Sequence, residues 1–198
     1  MQPTQKKILA RIYGKGRGWC FGPKDFQDIG NRPAVDKALS RLHRGGTIRR
    51  VARGVYDYPR VSKKLGMQAP PDLDQVAHAL ARSRGWRIQA AGVWAANLLG
   101  LSTQVPAKAV YLTTGPGKSL TVGNTPVEFR SVSPKDLPEG LCGLVIQALK
   151  GLGKENVDDH AVSQLRRHLS NRDCRKLLGM KQVTGWVYET IKRICQDH

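Results

Sequence analysis

The side chains best placed to do chemistry lie between Asn31 and Pro59, in the stretch NRPAVDKALSRLHRGGTIRRVARGVYDYP. Arg32, Lys37, Ser40, Arg41 and Arg44 fall on the polar side of one helical period, and Arg49, Arg50 and Arg53 follow on a basic strand and its turn. The chemistry such a set performs is recognition of a polyanion. Cations neutralise phosphates, and an arginine fork such as that of Arg41 can hold the O6 and N7 of guanine. Arg32, Lys37, Ser40 and Arg41 are the side chains predicted to reach DNA, while Arg44, near the helix end, is assigned to phosphate. Arg53 sits at the turn, aimed at phosphate or the adjacent minor groove. Arg49 and Arg50 flank the same turn, but strand alternation sends them to opposite faces, so one of the two has another role.

Other constellations carry less. Thr114–Ser119 (TGPGKS) invites a phosphate-loop reading, yet the position five before the Gly-Lys-Ser triplet is Leu112 and no helical pattern follows. A hairpin turn between AVYLT and SLTV is expected there instead. Asp72, Asp74, Glu128 and Arg130 could be scattered parts of a metal nuclease, but Glu128-Phe-Arg130 lacks the lysine of the common nuclease pattern. His160 and His168 lie on one predicted helix with no cysteine ligand near them in sequence. The reading assigns no catalytic residue, no metal ligand and no cofactor.

The elements that must position the basic side chains follow from local rules. Asn31 is a capping residue, and Pro33 suits the first turn of a helix because its missing N–H would be unpaired there anyway. Val35, Ala38, Leu39 and Leu42 repeat at i, i+3, i+4 and i+7, a buried stripe opposite the cations. Gly45 and Gly46 stop the helix. Residues 47–52 (TIRRVA) and 55–58 (VYDY) are β-branched and aromatic runs around Arg53-Gly54, a hairpin with a tight turn. Upstream, a short helix over 5–13, a strand at Trp19–Phe21 and a helix over 23–29 are predicted. Helix, strand, helix, helix, strand, strand is the order of a winged helix-turn-helix, with residues 31–44 as recognition helix and Arg53-Gly54 as the wing tip.

Residues 60–71 lose periodicity and end in Pro-Pro, the composition of a linker. Residues 1–62 are therefore read as the DNA-binding domain, 63–71 as a linker and 72–198 as a second domain. In that second domain, helices are predicted over 72–84 and 90–99 with a short strand at 86–89 between them. Strands follow at 109–113, 119–122 and 127–132, then helices near 143–150, 157–169, 172–178 and 182–195. Strands followed by helices, without regular alternation, indicate an α+β fold.

Charge supports the division. The chain has 33 Lys plus Arg against 15 Asp plus Glu, a formal net charge of +18. Residues 1–66 hold 16 basic and 4 acidic side chains, a net +12, leaving +6 for the other two thirds. No run of about 18 apolar residues exists, and the first residues lack the pattern of a signal peptide, so a cytoplasmic protein without a membrane partner is expected. Cys20, Cys142, Cys174 and Cys195 form no C-x-x-C pair, which fits reduced thiols.

Four phrases together point to a family. GWCFGPKDFQDIG, ALSRLHRGGTIRRVARGVYDYP, WAANLLGLSTQVPAKAVYLTTGPGKSLTVGNTPVEFRSVSP and RDCRKLLGMKQVTGWVYETIKRI resemble the AbiEi-type antitoxins, two-domain proteins of bacterial type IV toxin–antitoxin and phage-defence loci. The resemblance covers nearly the whole chain, and RLHRGGTIRRVARGVY and NLLGLSTQVPAK are its most specific parts. It implies a repressor of its own operon that recognises inverted repeats through the N-terminal winged helix. It implies further that the C-terminal domain counteracts a nucleotidyltransferase-like toxin encoded next door, without requiring a stable complex, and contributes to repression. Only the winged-helix positions carry over residue by residue, since no short motif marks antitoxicity. Two other readings stay open: a metal-dependent nuclease targeted by the same module, and a general nucleic-acid-binding protein.

Overall fold

The computed structural model describes residues 3–62, 66–104, 106–137, 139–180, 183 and 185–196. The chain divides into two compact units, Met1–Arg87 with Leu120–Val127, and Ile88–Ser119 with Glu128–His198. Both sheets and helices are present in each, so the protein is mixed α+β.

The first unit begins with α1 (Pro3–Lys15), which buries Ile8 and Ile12. β1 (Cys20–Phe21), a 3-10 turn (Pro23–Phe26) and α2 (Arg32–Arg44) follow, then β2 (Arg49–Ala52) and β3 (Val55–Asp57). The strands form one antiparallel sheet in the order β1-β3-β2. Its register pairs Phe21 with Tyr56 and Cys20 with Asp57, so these pairs occupy opposite faces. The Phe21 face closes the core with Ile8, Ile12, Phe26, Val35 and Leu39. Phe21 and Phe26 meet edge to face with centroids 5.5 Å apart.

The other face is where the structure departs from the expected domain boundary. Cys20, Val55 and Asp57 point away from that core and are nonetheless buried, because α3 (Leu73–Arg84) packs against β1 and β3. Arg82 fixes the contact, donating from Nη2 to the Cys20 carbonyl (2.9 Å) and from Nε to Asp25 (3.2 Å). The first unit thus runs to Arg87, and the helix predicted to open the second domain completes the first. Nor is the segment before it a free linker. Ser62 N–H donates to Met67 O (2.9 Å), Ala69 N–H to Arg60 O (2.8 Å), and Val61 bridges Gln68. Residues 63–65 of the expected linker lie outside the described residues. The stretch lacks periodicity because it pairs through its backbone, which leaves no side-chain pattern to read.

The rest of the chain starts with β4 (Ile88–Ala90), α4 (Gly92–Leu98), β5 (Ala109–Thr113), β6 (Lys118–Val122) and β7 (Thr125–Ser131), of which residues 120–127 are grouped with the first unit. Five helical segments follow: α5 (Gly140–Leu152), a 3-10 turn (Lys154–Asn156), α6 (Asp159–His168), α7 (Asn171–Leu178) and α8 (Gly185–Cys195). The sheet order is β4-β5-β7-β6, so β7 lies between β5 and β6. The expected hairpin between AVYLT and SLTV is therefore absent. The tight hairpin is β6–β7, turned by Gly123-Asn124 with Gly123 at φ 59°, and the 114–117 segment steps past β7, a Cβ at Gly117 standing 3.6 Å from Phe129 O. Tyr111 stacks on Phe129 (5.7 Å) and accepts a hydrogen bond from Trp94 Nε1 (2.8 Å). α4 and α5 approach so closely that a Cβ at Gly151 would overlap the Gly92 carbonyl. Residues 182 and 184, at the predicted start of the last helix, lie outside the described residues.

Candidate nucleic-acid interface

α2 is fixed at both ends. The Asn31 side chain accepts from Ala34 N–H (3.0 Å), satisfying one of the donors that a helix start leaves open. At the other end Thr47 N–H donates to Leu42 O and Gly46 N–H to His43 O, both 3.0 Å, with Gly46 at φ 71°. This six-to-one and five-to-two pair closes the helix, and glycine is needed at the left-handed position. Val35, Ala38, Leu39 and Leu42 are buried. The helix therefore cannot rotate about its axis, and its outward face is set.

That face carries Lys37, Ser40, Arg41 and Arg44 at spacings of three, four and seven, so they form one continuous strip. Lys37, Ser40 and Arg44 are exposed and Arg41 is half-buried; none has an ion pair or side-chain hydrogen bond among the described residues. Arg32 differs. Its Nε bonds both oxygens of Asp36, at 3.0 and 2.8 Å, so one carboxylate offsets its charge beside the strip.

The hairpin resolves the question of Arg49 and Arg50. Arg49 donates to both oxygens of the buried Asp57, Nη2–Oδ2 at 2.6 Å and Nε–Oδ1 at 3.1 Å, and from Nη1 to Ala69 O at 3.0 Å. It ties β2 to β3 and to the segment before α3, so of the two arginines it is the one that carries a structural role. Its guanidinium has no donor to spare for a partner at the Asp57 edge. Arg50 pairs across from Tyr56 on the opposite face and is exposed. A bulge leaves Val51 out of the ladder between Arg50 and Ala52, which increases the local twist. Arg53 is exposed at the turn, beside Gly54 at φ 76°. Gly22 backs this turn, with room for no side chain: a Cβ there would meet Gly54 O at 2.9 Å.

The first unit also holds basic groups that the sequence pattern did not single out. Arg17 stacks on the Tyr58 ring (4.6 Å) and donates to Pro59 O (2.8 Å), and Arg60 Nε reaches Arg17 O (3.5 Å). An arginine one or two residues from an aromatic strand end was the available signal. Arg11, on α1, grips Asp28 through two parallel bonds, Nη1–Oδ1 being 2.7 Å, and holds that carboxyl down at about 2. His43 bonds Ile48 O through Nδ1 (3.3 Å) and meets the Tyr56 ring edge-on. It joins the end of α2 to the hairpin.

The carboxylates of Asp72, Asp74 and Glu128 have structural partners. Asp72 Oδ1 caps α3, accepting from Asp74 N–H (3.0 Å) and Gln75 N–H (3.2 Å). Glu128 is held by Arg130 (2.8 Å) and Lys108 (2.5 Å), which keep its carboxyl at about 2. His160 and His168 are exposed on α6. All four cysteines are buried and free. Burial pushes the Cys20 thiol up to about 12, with the Asp57 carboxylate adding to the effect, and does the same to Cys195 beside Cys174.

A profile of a family of unknown function, DUF6088, matches residues 7–177. The chain belongs to the DUF6088 family. The match spans both units, so this DUF6088 protein carries the basic helix and hairpin and most of the second unit as parts of one family pattern. No curated protein matches the chain. No helix among the described residues of this DUF6088 chain is long and apolar enough to cross a membrane.

Proposed function

We propose that the first unit is a winged helix-turn-helix that binds double-stranded DNA, with α2 in the major groove and the β2–β3 turn as its wing. The observation that carries this reading is the strip Lys37, Ser40, Arg41 and Arg44, unpaired on the outward face of a helix capped at both ends. A fixed helix presenting free cations can enter a groove about 12 Å wide without first breaking internal bonds. Arg50 and Arg53 follow on the hairpin, both exposed. In this role Arg41 and Lys37 read bases, Arg44, Arg50 and Arg53 hold phosphates, and Arg32 contributes with its charge partly offset by Asp36.

Combined with the resemblance to AbiEi-type antitoxins, the reading is a cytoplasmic transcriptional autorepressor. It would bind operator inverted repeats, and the second unit would counteract a nucleotidyltransferase-like toxin as its functional partner. Fluorescence anisotropy on the full chain tests the DNA part, comparing DNA from upstream of its own gene with a scrambled duplex. Preference for the upstream DNA should persist between about 50 and 200 mM salt while total affinity falls steeply. Lys37→Ala with Arg41→Ala should abolish that preference. Equal affinity for both duplexes at every salt concentration would reduce the protein to a general polyanion binder. Expressed from an unrelated promoter, the same double variant should still protect cells from the toxin, and loss of protection by the folded variant would place rescue in DNA binding itself.

A further inference from the structure

The second unit holds a cleft that the DNA-binding reading does not use. It encloses about 620 Å³, inside the range of about 300–1,000 Å³ typical of small-molecule sites. Its floor is Val110 and Leu112 of β5, and its side wall is the start of α4 with Trp94. The Trp94 indole is fixed by its bond to Tyr111 OH.

Charge at the cleft is one-sided. Lys108, Arg130 and Lys150 line it, and among the described residues no carboxylate does. Glu128 lies behind the first two and orients both, at 2.5 and 2.8 Å. With its charge counted, two positive charges remain. Lys150, exposed in the last turn of α5, has no ion pair or hydrogen bond among the described residues. Two side-chain amides, Gln104 and Gln147, also line the cleft, and neither amide has a hydrogen bond among the described residues.

We propose that this cleft binds a nucleoside monophosphate, its base on Trp94 and the apolar floor and its phosphate at Lys150, Lys108 and Arg130. Each part answers a feature of the site. A flat ring suits an indole wall. The two amides offer donors and acceptors together, which is what a base edge requires. A phosphate dianion matches the residual double positive charge. A simple carboxylic acid would leave the amides and the indole without partners, and a neutral ligand would leave the cations so. The proposal is independent of the DNA-binding reading, since every group it uses lies in the second unit.

Isothermal titration of the full chain with AMP, CMP, GMP and UMP, and with adenosine and inorganic phosphate, tests it. At least one monophosphate should bind with Kd below about 1 mM, more tightly than adenosine or phosphate alone. Lys150→Ala should weaken it about tenfold, as expected for loss of a hydrogen bond to a charged group, and Gln147→Leu should change the ranking of the four bases. Lys135→Ala, a charge removal at an exposed site outside the cleft, and the Lys37→Ala/Arg41→Ala variant should leave Kd within about twofold. Thermal unfolding of each variant establishes that it is folded. No binding by any monophosphate overturns the proposal. So does phosphate binding as tightly as the nucleotides, or an equal loss from Lys150→Ala and Lys135→Ala.

Discussion

Replacing Arg49 by alanine would strand the Asp57 carboxylate, which is 2% exposed, without its partner. The expected cost is about 3 kcal/mol, the low end for a broken buried pair because Arg49 itself keeps part of its surface in water. Arg50→Ala, one residue along, should leave stability within about 0.5 kcal/mol and weaken DNA binding. Urea denaturation and anisotropy on the two variants check both halves, and matching stability losses would contradict the division of roles. Alternation in TIRRVA gave notice that the two arginines part ways, but not which goes inward. The decision belongs to Asp57 and the Ala69 carbonyl, both distant in sequence. A second residue-scale expectation concerns acid. The Glu128 carboxyl is lowered from 4.5 to about 2 by Arg130 and Lys108, so its pairing is intact above its ordinary range and is lost as pH falls through about 2. Carboxyl NMR should find Glu128 still ionised at pH 3, and a titration midpoint near 4.5 would mean the two cations do not hold it in solution.

At the scale of elements, α2 was the most legible part of the chain. Its cap, apolar stripe and Gly-Gly stop are all local, and Arg32–Arg44 forms as the pattern predicts. Asn31→Ala should cost about 1 kcal/mol by removing the cap, measurable as a lowered denaturation midpoint. The order of strands in the four-stranded sheet was not legible in the same way. Hydrophobic runs located β5, β6 and β7 to within two residues, yet which strand sits beside which depends on long-range pairing that composition does not encode. Glycine contacts were equally hidden. Gly22→Ala should press on the Gly54 carbonyl and shift the hairpin turn, reducing DNA affinity more than stability. Gly151→Ala meets the Gly92 backbone with no flexible side chain to yield, and should destabilise the second unit by about 1–3 kcal/mol. Separate unfolding probes for the two units distinguish these outcomes.

For the whole molecule, the placement of α3 changes where the chain can be cut. A fragment ending at residue 62 uncovers the Cys20, Val55 and Asp57 face of its sheet and loses the Ala69 carbonyl that holds Arg49. It should lack a cooperative unfolding transition, whereas a fragment of residues 1–87 should unfold cooperatively. Similar melting of the two would show that α3 contributes little. The boundary was illegible because the amphipathic pattern of 73–84 states only that one face is buried. It does not say against which sheet.

The buried thiols give each unit its own chemical clock. Cys20 lies in the first unit, and Cys142, Cys174 and Cys195 lie in the second. Alkylating reagents attack the thiolate, and burial suppresses that form most at Cys20 and Cys195. Modification of these residues must then wait for the surrounding structure to open, and its rate reports the frequency of that opening. Peptide mapping after timed alkylation would read both units in one unmodified sample. An operator duplex should slow the Cys20 clock, and a ligand of the cleft should slow those of the other three.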